Sequence, residues 1–249
     1  MISAYLAGVI PGLLLPWVLI PLRSPVLFAL LPVAPVAFVY ARLLAQGRTG
    51  HALAVATLWA IAISASTVTA SVVLAEGASR SIWHADAYRD EMLAWIATGQ
   101  GAEGHIRIFL PRVLGEYALL LLLSAGTMGA GALLLGGVLL GYMNAYVGWV
   151  VSHADPHVHP LAAALIAWPP WAVCRVLAFI VGATAAARWG YPRWFSRGAP
   201  REPVLRLLGA SVALLLADIG LKWWLAPLWR DFLRALLGAS AGIEAGGSG

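Results

Sequence analysis

Charge is what this chain has least of. Only 11% of its residues are Asp, Glu, Lys or Arg, while 61% are hydrophobic; soluble domains carry about a quarter charged residues. That deficit excludes a water-exposed surface over most of the length and implies a polytopic membrane protein. Cysteine is nearly absent as well. Cys174 stands alone inside an apolar stretch, which excludes an intramolecular disulfide, thiolate zinc sites and CxxC haem attachment. No Lys or Arg precedes Arg23, and the first apolar run carries Pro11, Pro16 and Pro21. A cleaved signal has a basic lead-in and an unbroken apolar centre, so a retained N-terminus is expected. The sequence also lacks GxSxG, a P-loop, a Rossmann fingerprint and a Cys/His catalytic context. A non-catalytic integral membrane protein, either a transporter-like bundle or a subunit of a larger membrane complex, is the first expectation, and a metal-dependent membrane enzyme or metal-handling protein is the alternative.

What is present is a series of apolar runs, each near the roughly 20 residues that cross hydrocarbon. They predict an all-α, polytopic transmembrane bundle of about seven spans, with six as the lower bound. One transmembrane domain covers 1–238, and 239–249 reads as a flexible C-terminal tail. The expected spans are 4–22, 25–44, 52–75, two within 109–151 divided near 126–131, 161–187 kinked at Pro169 and Pro170, and 204–225. The third carries a face of Ser64, Ser66, Thr67, Thr69 and Ser71, whose hydroxyls can bond across helices. In the fifth, Gly137 and Gly141 form a GxxxG that Ala145 and Gly148 extend, a stripe suited to close helix packing.

Two further stretches read as amphipathic helices at the membrane interface. In the first, Ala85, Tyr88, Met92, Trp95 and Ile96 recur at helical spacing, and a glycine-rich run at 99–104 ends it. In the second, Trp229, Phe232, Leu233, Leu236 and Leu237 oppose Arg230, Asp231 and Arg234.

The formal net charge of +5 is topological, because arginines flank apolar runs. Arg188, Arg193, Arg197, Arg201 and Arg206 mark one loop as cytoplasmic. Threading back from it puts 153–160 and 76–107 outside, the N-terminus inside and the C-terminus outside. Loop 153–160 has no Lys or Arg, and 76–107 carries five acids against three arginines. Every histidine except His51 then shares the outer face. The expected location is a bacterial inner (cytoplasmic) membrane. The expected partners are membrane lipids and other membrane subunits or further copies of the chain, with no nucleic acid.

Two constellations carry candidate chemistry. The first is His153, Asp155, His157 and His159, joined from the other outer segment by His84, Asp86, Glu91 and His105. Imidazole and carboxylate are ligands for zinc, copper or iron, so a divalent transition metal is the cofactor this set would hold. Pro156 prevents His153 and His157 from forming an i,i+4 pair on one helix, and a solvated turn is the other reading. The second constellation is the ionisable residues inside spans. Arg112 and Glu116 are i,i+4, Asp218 and Lys222 repeat that self-neutralising spacing, and Arg175 has no acid within one turn and needs a partner from another helix. Charge in a span faces the bundle interior, as a structural ion pair or as a substrate, headgroup or proton pathway.

The stretch Ser124-Ala-Gly-Thr127-Met-Gly-Ala-Gly-Ala-Leu-Leu-Leu-Gly-Gly137-Val-Leu-Leu-Gly141, followed by a loop and a kinked apolar span, resembles the stage II sporulation protein M family. The resemblance covers about a third of the chain and rests on small residues at membrane-helix spacing. It implies a non-enzymatic membrane scaffold associated with envelope complexes. Members carry a His-Gly and a nearby Glu where this chain reads Trp168-Pro-Pro-Trp171-Ala-Val-Cys-Arg175, so no site residue is carried over.

Overall fold

The computed structural model describes residues 2–195 and 201–238, which are helical with no strand among them. The helices are α1 (Ile2–Leu19), α2 (Pro25–Leu30), α3 (Val33–Ala45), α4 (Thr49–Val73), α5 (Ala75–Ser81), α6 (Ala85–Thr98), α7 (Ile106–Thr127), α8 (Ala130–His153), α9 (Pro160–Ala167), α10 (Pro170–Phe195) and α11 (Arg201–Leu237). The all-α helix bundle is therefore the fold. Among the described residues, six segments are long and apolar enough to cross a membrane: Pro25–Ala45, Thr49–Val73, Ile106–Thr127, Ala130–His153, Pro170–Gly190 and Pro203–Leu237. α1 is a shorter apolar helix packed along α4, which places the count at the lower bound of six.

Proline decides several of these boundaries. Pro32 separates α2 from α3, and the Trp59 indole of α4 donates to the Pro32 carbonyl at that break, 3.0 Å away. Pro169 and Pro170 break the expected sixth span more completely. Neither has an N–H, so the Leu165 and Ile166 carbonyls lose their i+4 donors. The Trp229 indole of α11 donates to the Ile166 carbonyl at 2.7 Å, which closes the gap. The expected span at 161–187 is corrected accordingly: the crossing begins at Pro170, and α9 is a separate short helix against α8 and α11.

The 109–151 region divides where expected, with Met128 (φ 54°) and Gly129 (φ 91°) in the left-handed region between α7 and α8. On α8 the small-residue stripe is in close contact with its neighbours. A β-carbon on Gly148 would stand 2.7 Å from Ser71 Cβ and 2.9 Å from the Val68 carbonyl of α4. The C-terminal amphipathic stretch is not a separate interfacial helix, because 225–237 continues α11 without a break. At about 1.5 Å per residue, a helix of 37 residues outruns the roughly 30 Å of hydrocarbon, so one end of α11 stands in the headgroup region or beyond it.

The two ends of the bundle differ. At one, Arg188 of α10 donates to the Leu44 carbonyl of α3, and Tyr40 shares a 2.7 Å hydrogen bond with Thr184. At the other, Ser81 donates to the Ile20 carbonyl, the Asp155 N–H donates to the Leu236 carbonyl, and the Arg234 guanidinium donates to the carbonyls of Ile96 and Ala97. The 76–107 segment and the 153–160 loop thus share one end, pinned there by the last turns of α11. The side chains of Arg193, Arg197 and Arg201 and the tail at 239–249 lie outside the described residues.

Candidate functional site

The most charged part of the interior lies where α7, α10 and α11 meet the loop between α6 and α7. Asp218 of α11 is fully buried and receives two hydrogen bonds from Arg175 of α10, Nε to Oδ2 at 3.0 Å and Nη2 to Oδ1 at 3.1 Å. That fork supplies the interhelical partner that Arg175 lacked in its own helix. One turn later on α11, Lys222 is also buried. It is the only lysine in the sequence, and its Nζ lies 2.9 Å from Glu103 Oε1. Asp218 and Lys222 share a helix face, yet each pairs with a charge from elsewhere, so the i,i+4 self-neutralisation expected from spacing is replaced by two tertiary pairs.

Phe109, in the first turn of α7, sits under both cations. The Arg175 guanidinium carbon is 4.8 Å and the Lys222 ammonium 3.3 Å from its ring centroid, within cation–π range. A second charge group flanks the first. Arg112 of α7 reaches Glu91 of α6 at 3.0 Å and Glu116 at 3.3 Å, so the i,i+4 pair is kept and an interhelical carboxylate is added. A small cavity of about 30 Å³ touches Glu91, Glu103, Arg112, Glu116 and Arg175 together, which makes the two groups neighbours.

In the sequence Glu91 groups with the outer histidines, and the fold gives it to Arg112 instead. Glu103 is the member that sequence reasoning missed, because it fell in a run read only as a helix terminator. Gly99 (φ 76°) and Gly101 (φ 120°) let that run turn back on itself, carrying Glu103 inward. Its one sequence signal was an acid within a glycine-rich loop directly before an apolar span. Burial would raise the Glu103 carboxyl, but the Lys222 ammonium and Arg175 guanidinium outweigh it and hold the group below its ordinary range. Burial, with the Glu103 charge adding to it, pushes the Tyr88 phenol well above its ordinary value, so Tyr88 stays neutral beside these charges.

The histidines do not assemble. Among the described residues no group of three or more His, Cys, Asp or Glu side chains could hold a metal ion. The His153 ring stacks on Trp149 at 4.1 Å, and its Nδ1 lies 2.9 Å from the Trp149 carbonyl. Asp155 accepts the His157 N–H at 2.8 Å, a turn-forming bond. His159 Nδ1 caps α9 by accepting the Leu161 N–H at 3.2 Å. In the other segment His84 is exposed at the start of α6 with φ 61°, and His105 Nε2 lies 2.7 Å from Gln100 Oε1. Sharing one end of the bundle does not bring these rings to a common point.

Beside Lys222 a cleft of about 540 Å³ opens between the 99–109 segment and the 219–230 face of α11. Lys222 and Glu103 stand in its wall, with Arg107, Arg230 and His105 as its other ionisable residues and Trp223 and Phe109 among its apolar ones. No family model, curated protein or solved structure significantly matches the chain.

Proposed function

We propose that the chain is a non-catalytic integral membrane protein, a transporter-like bundle whose pathway is lined by Arg112, Glu116, Arg175, Asp218 and Lys222 together with Glu91 and Glu103. The observation that carries this reading is the meeting of two buried opposite-charge pairs around Phe109, beside an open cleft. Removing charge from water costs more than such pairs return, and apolar residues of similar volume often stabilise a fold better. Ionisable groups retained in that setting are accounted for by the handling of charge. The partners are membrane lipids and other membrane subunits or copies. The arginines at the Leu44 and Arg188 end support a cytoplasmic placement of that end and an external one for loop 153–160, in a bacterial inner membrane.

The test is whether water reaches the charged interior. Met143 of α8 is half-buried and lies beside Glu116, Arg175 and Tyr142. In a Cys174→Ala background, Met143→Cys is expected to react with a membrane-impermeant trimethylammonium methanethiosulfonate in sealed proteoliposomes. Leu122→Cys, on an outward face 72% exposed, stays unreactive where lipid covers it. If Met143→Cys reacts from neither side in folded protein but reacts fully in denaturant, the charges are structural pairs and the pathway is refuted. The side from which the reagent acts also reports the orientation.

A further inference from the structure

We infer that the cleft between the 99–109 segment and α11 holds the headgroup and upper acyl chain of one anionic phospholipid. The inference rests on the proposed ligand-facing role of Lys222 and extends it by naming what meets that residue from the membrane side.

Charge complementarity argues for this occupant. Glu103 is the one acid in the cleft wall and is already balanced by Lys222, which leaves the Arg107 and Arg230 guanidiniums in excess. Lys222 is itself occupied, with its ammonium 2.9 Å from Glu103 Oε1 and 3.3 Å from the Phe109 ring centroid. The arginines are less engaged: Arg107 is exposed, and the Arg230 contact with Asp231 is 3.7 Å, too long for a hydrogen bond. A phosphate ester, with several acceptor oxygens, would take up these guanidinium donors.

The shape argues for an amphiphile over a free ion. A volume of about 540 Å³ far exceeds an inorganic phosphate and falls in the range of small-molecule sites. The wall beyond the cations is apolar, and Trp223 in that wall and Trp224 next to it are 74% and 80% exposed. Indole rings standing out from a long apolar helix favour headgroup depth, where a phospholipid changes from charged to hydrocarbon. Gly99 contributes by omission. A side chain there would strike the Arg230 guanidinium, and at φ 76° the position suits glycine in any case.

Native mass spectrometry of the full-length protein tests the assignment, in micelles doped with phosphatidylglycerol or with phosphatidylcholine of the same acyl chains. Phosphatidylglycerol is expected to stay bound at least tenfold more than phosphatidylcholine, and inorganic phosphate at millimolar concentration is expected not to displace it. Arg107→Gln with Arg230→Gln should reduce retention at least fivefold, whereas Arg42→Gln with Arg48→Gln, at the opposite end, should leave it unchanged. Lys222→Met alone strands Glu103, so Glu103→Gln with Lys222→Met is the folding-safe form and should also lose the lipid. Equal retention of the two lipids, unchanged retention in both cleft variants, or displacement by inorganic phosphate would each overturn the inference. Loss of the lipid preference with Met143→Cys still water-accessible refutes the lipid site alone. A retained preference with Met143→Cys unreactive refutes the pathway alone.

Discussion

The half of the bundle formed by α1 to α4 with α8 and the half formed by α7, α10 and α11 meet the same problem, polar atoms inside an apolar fold, in different ways. In the first half neutral donors bond across elements. Ser66 donates to the Leu13 carbonyl at 2.6 Å, Trp59 to that of Pro32, and the Asn144 amide bridges Ser64 and the Trp168 indole at 3.0 Å each. In the second half neutral bonds occur as well, Tyr117 with Ser211 and Ser211 to the Ala178 carbonyl at 2.6 Å each, and fully charged side chains are buried and paired beside them. Neutral bonds add modest stability at little desolvation cost, while ion pairs in low dielectric roughly break even or worse. The first half is thus held as a scaffold by neutral bonds, and the second also carries buried charge, although both are apolar helices by composition.

The strongest way to break that contrast is to remove one charge. Asp218→Leu strands Arg175 and is expected to cost about 3–5 kcal/mol in detergent unfolding, enough to prevent folding in a marginal protein. Arg175→Met with Asp218→Leu should recover most of that stability. A loss below about 1 kcal/mol for the single variant would mean the pair is dispensable and the contrast mistaken. Next in size is Trp229→Phe, which leaves the Ile166 carbonyl unanswered at the α9–α10 break and should cost about 1–3 kcal/mol by the same measurement. Smallest is Ser66→Ala in the scaffold half, expected to cost about 0.6 kcal/mol, in line with single hydrogen bonds between membrane helices. A cost for Ser66→Ala equal to that for Asp218→Leu would erase the distinction.

Legibility followed the range of the interaction. The α7–α8 division, the packing stripe of Gly137, Gly141 and Gly148, and the buried face of α6 were readable because periodicity and glycine act within a few residues. The hydroxyl face of α4 was readable in outline only: Ser64 and Ser66 bond across helices, Thr69 bonds within its own helix, and Thr67 and Ser71 make no hydrogen bond. Spacing identified Arg175 as needing a distant partner but could not name Asp218, 43 residues away. It also paired Lys222 with Asp218, where the fold supplies Glu103. The histidines drew attention by density in the sequence, and density along a chain says little about where ring nitrogens point.

By itself, then, the sequence determined a helical bundle in a membrane, the turn between α7 and α8, and the presence of charge that had to be turned inward. Those properties follow from hydropathy and local backbone preference, which each stretch expresses alone. Only the tertiary structure decided which charges meet, that a glycine-rich loop carries Glu103 to Lys222, that Trp229 answers the carbonyl left by Pro170, and that a cleft opens beside them. Ion pairing inside a bundle is set by distance in space under a low dielectric, and that distance does not exist until the helices have packed.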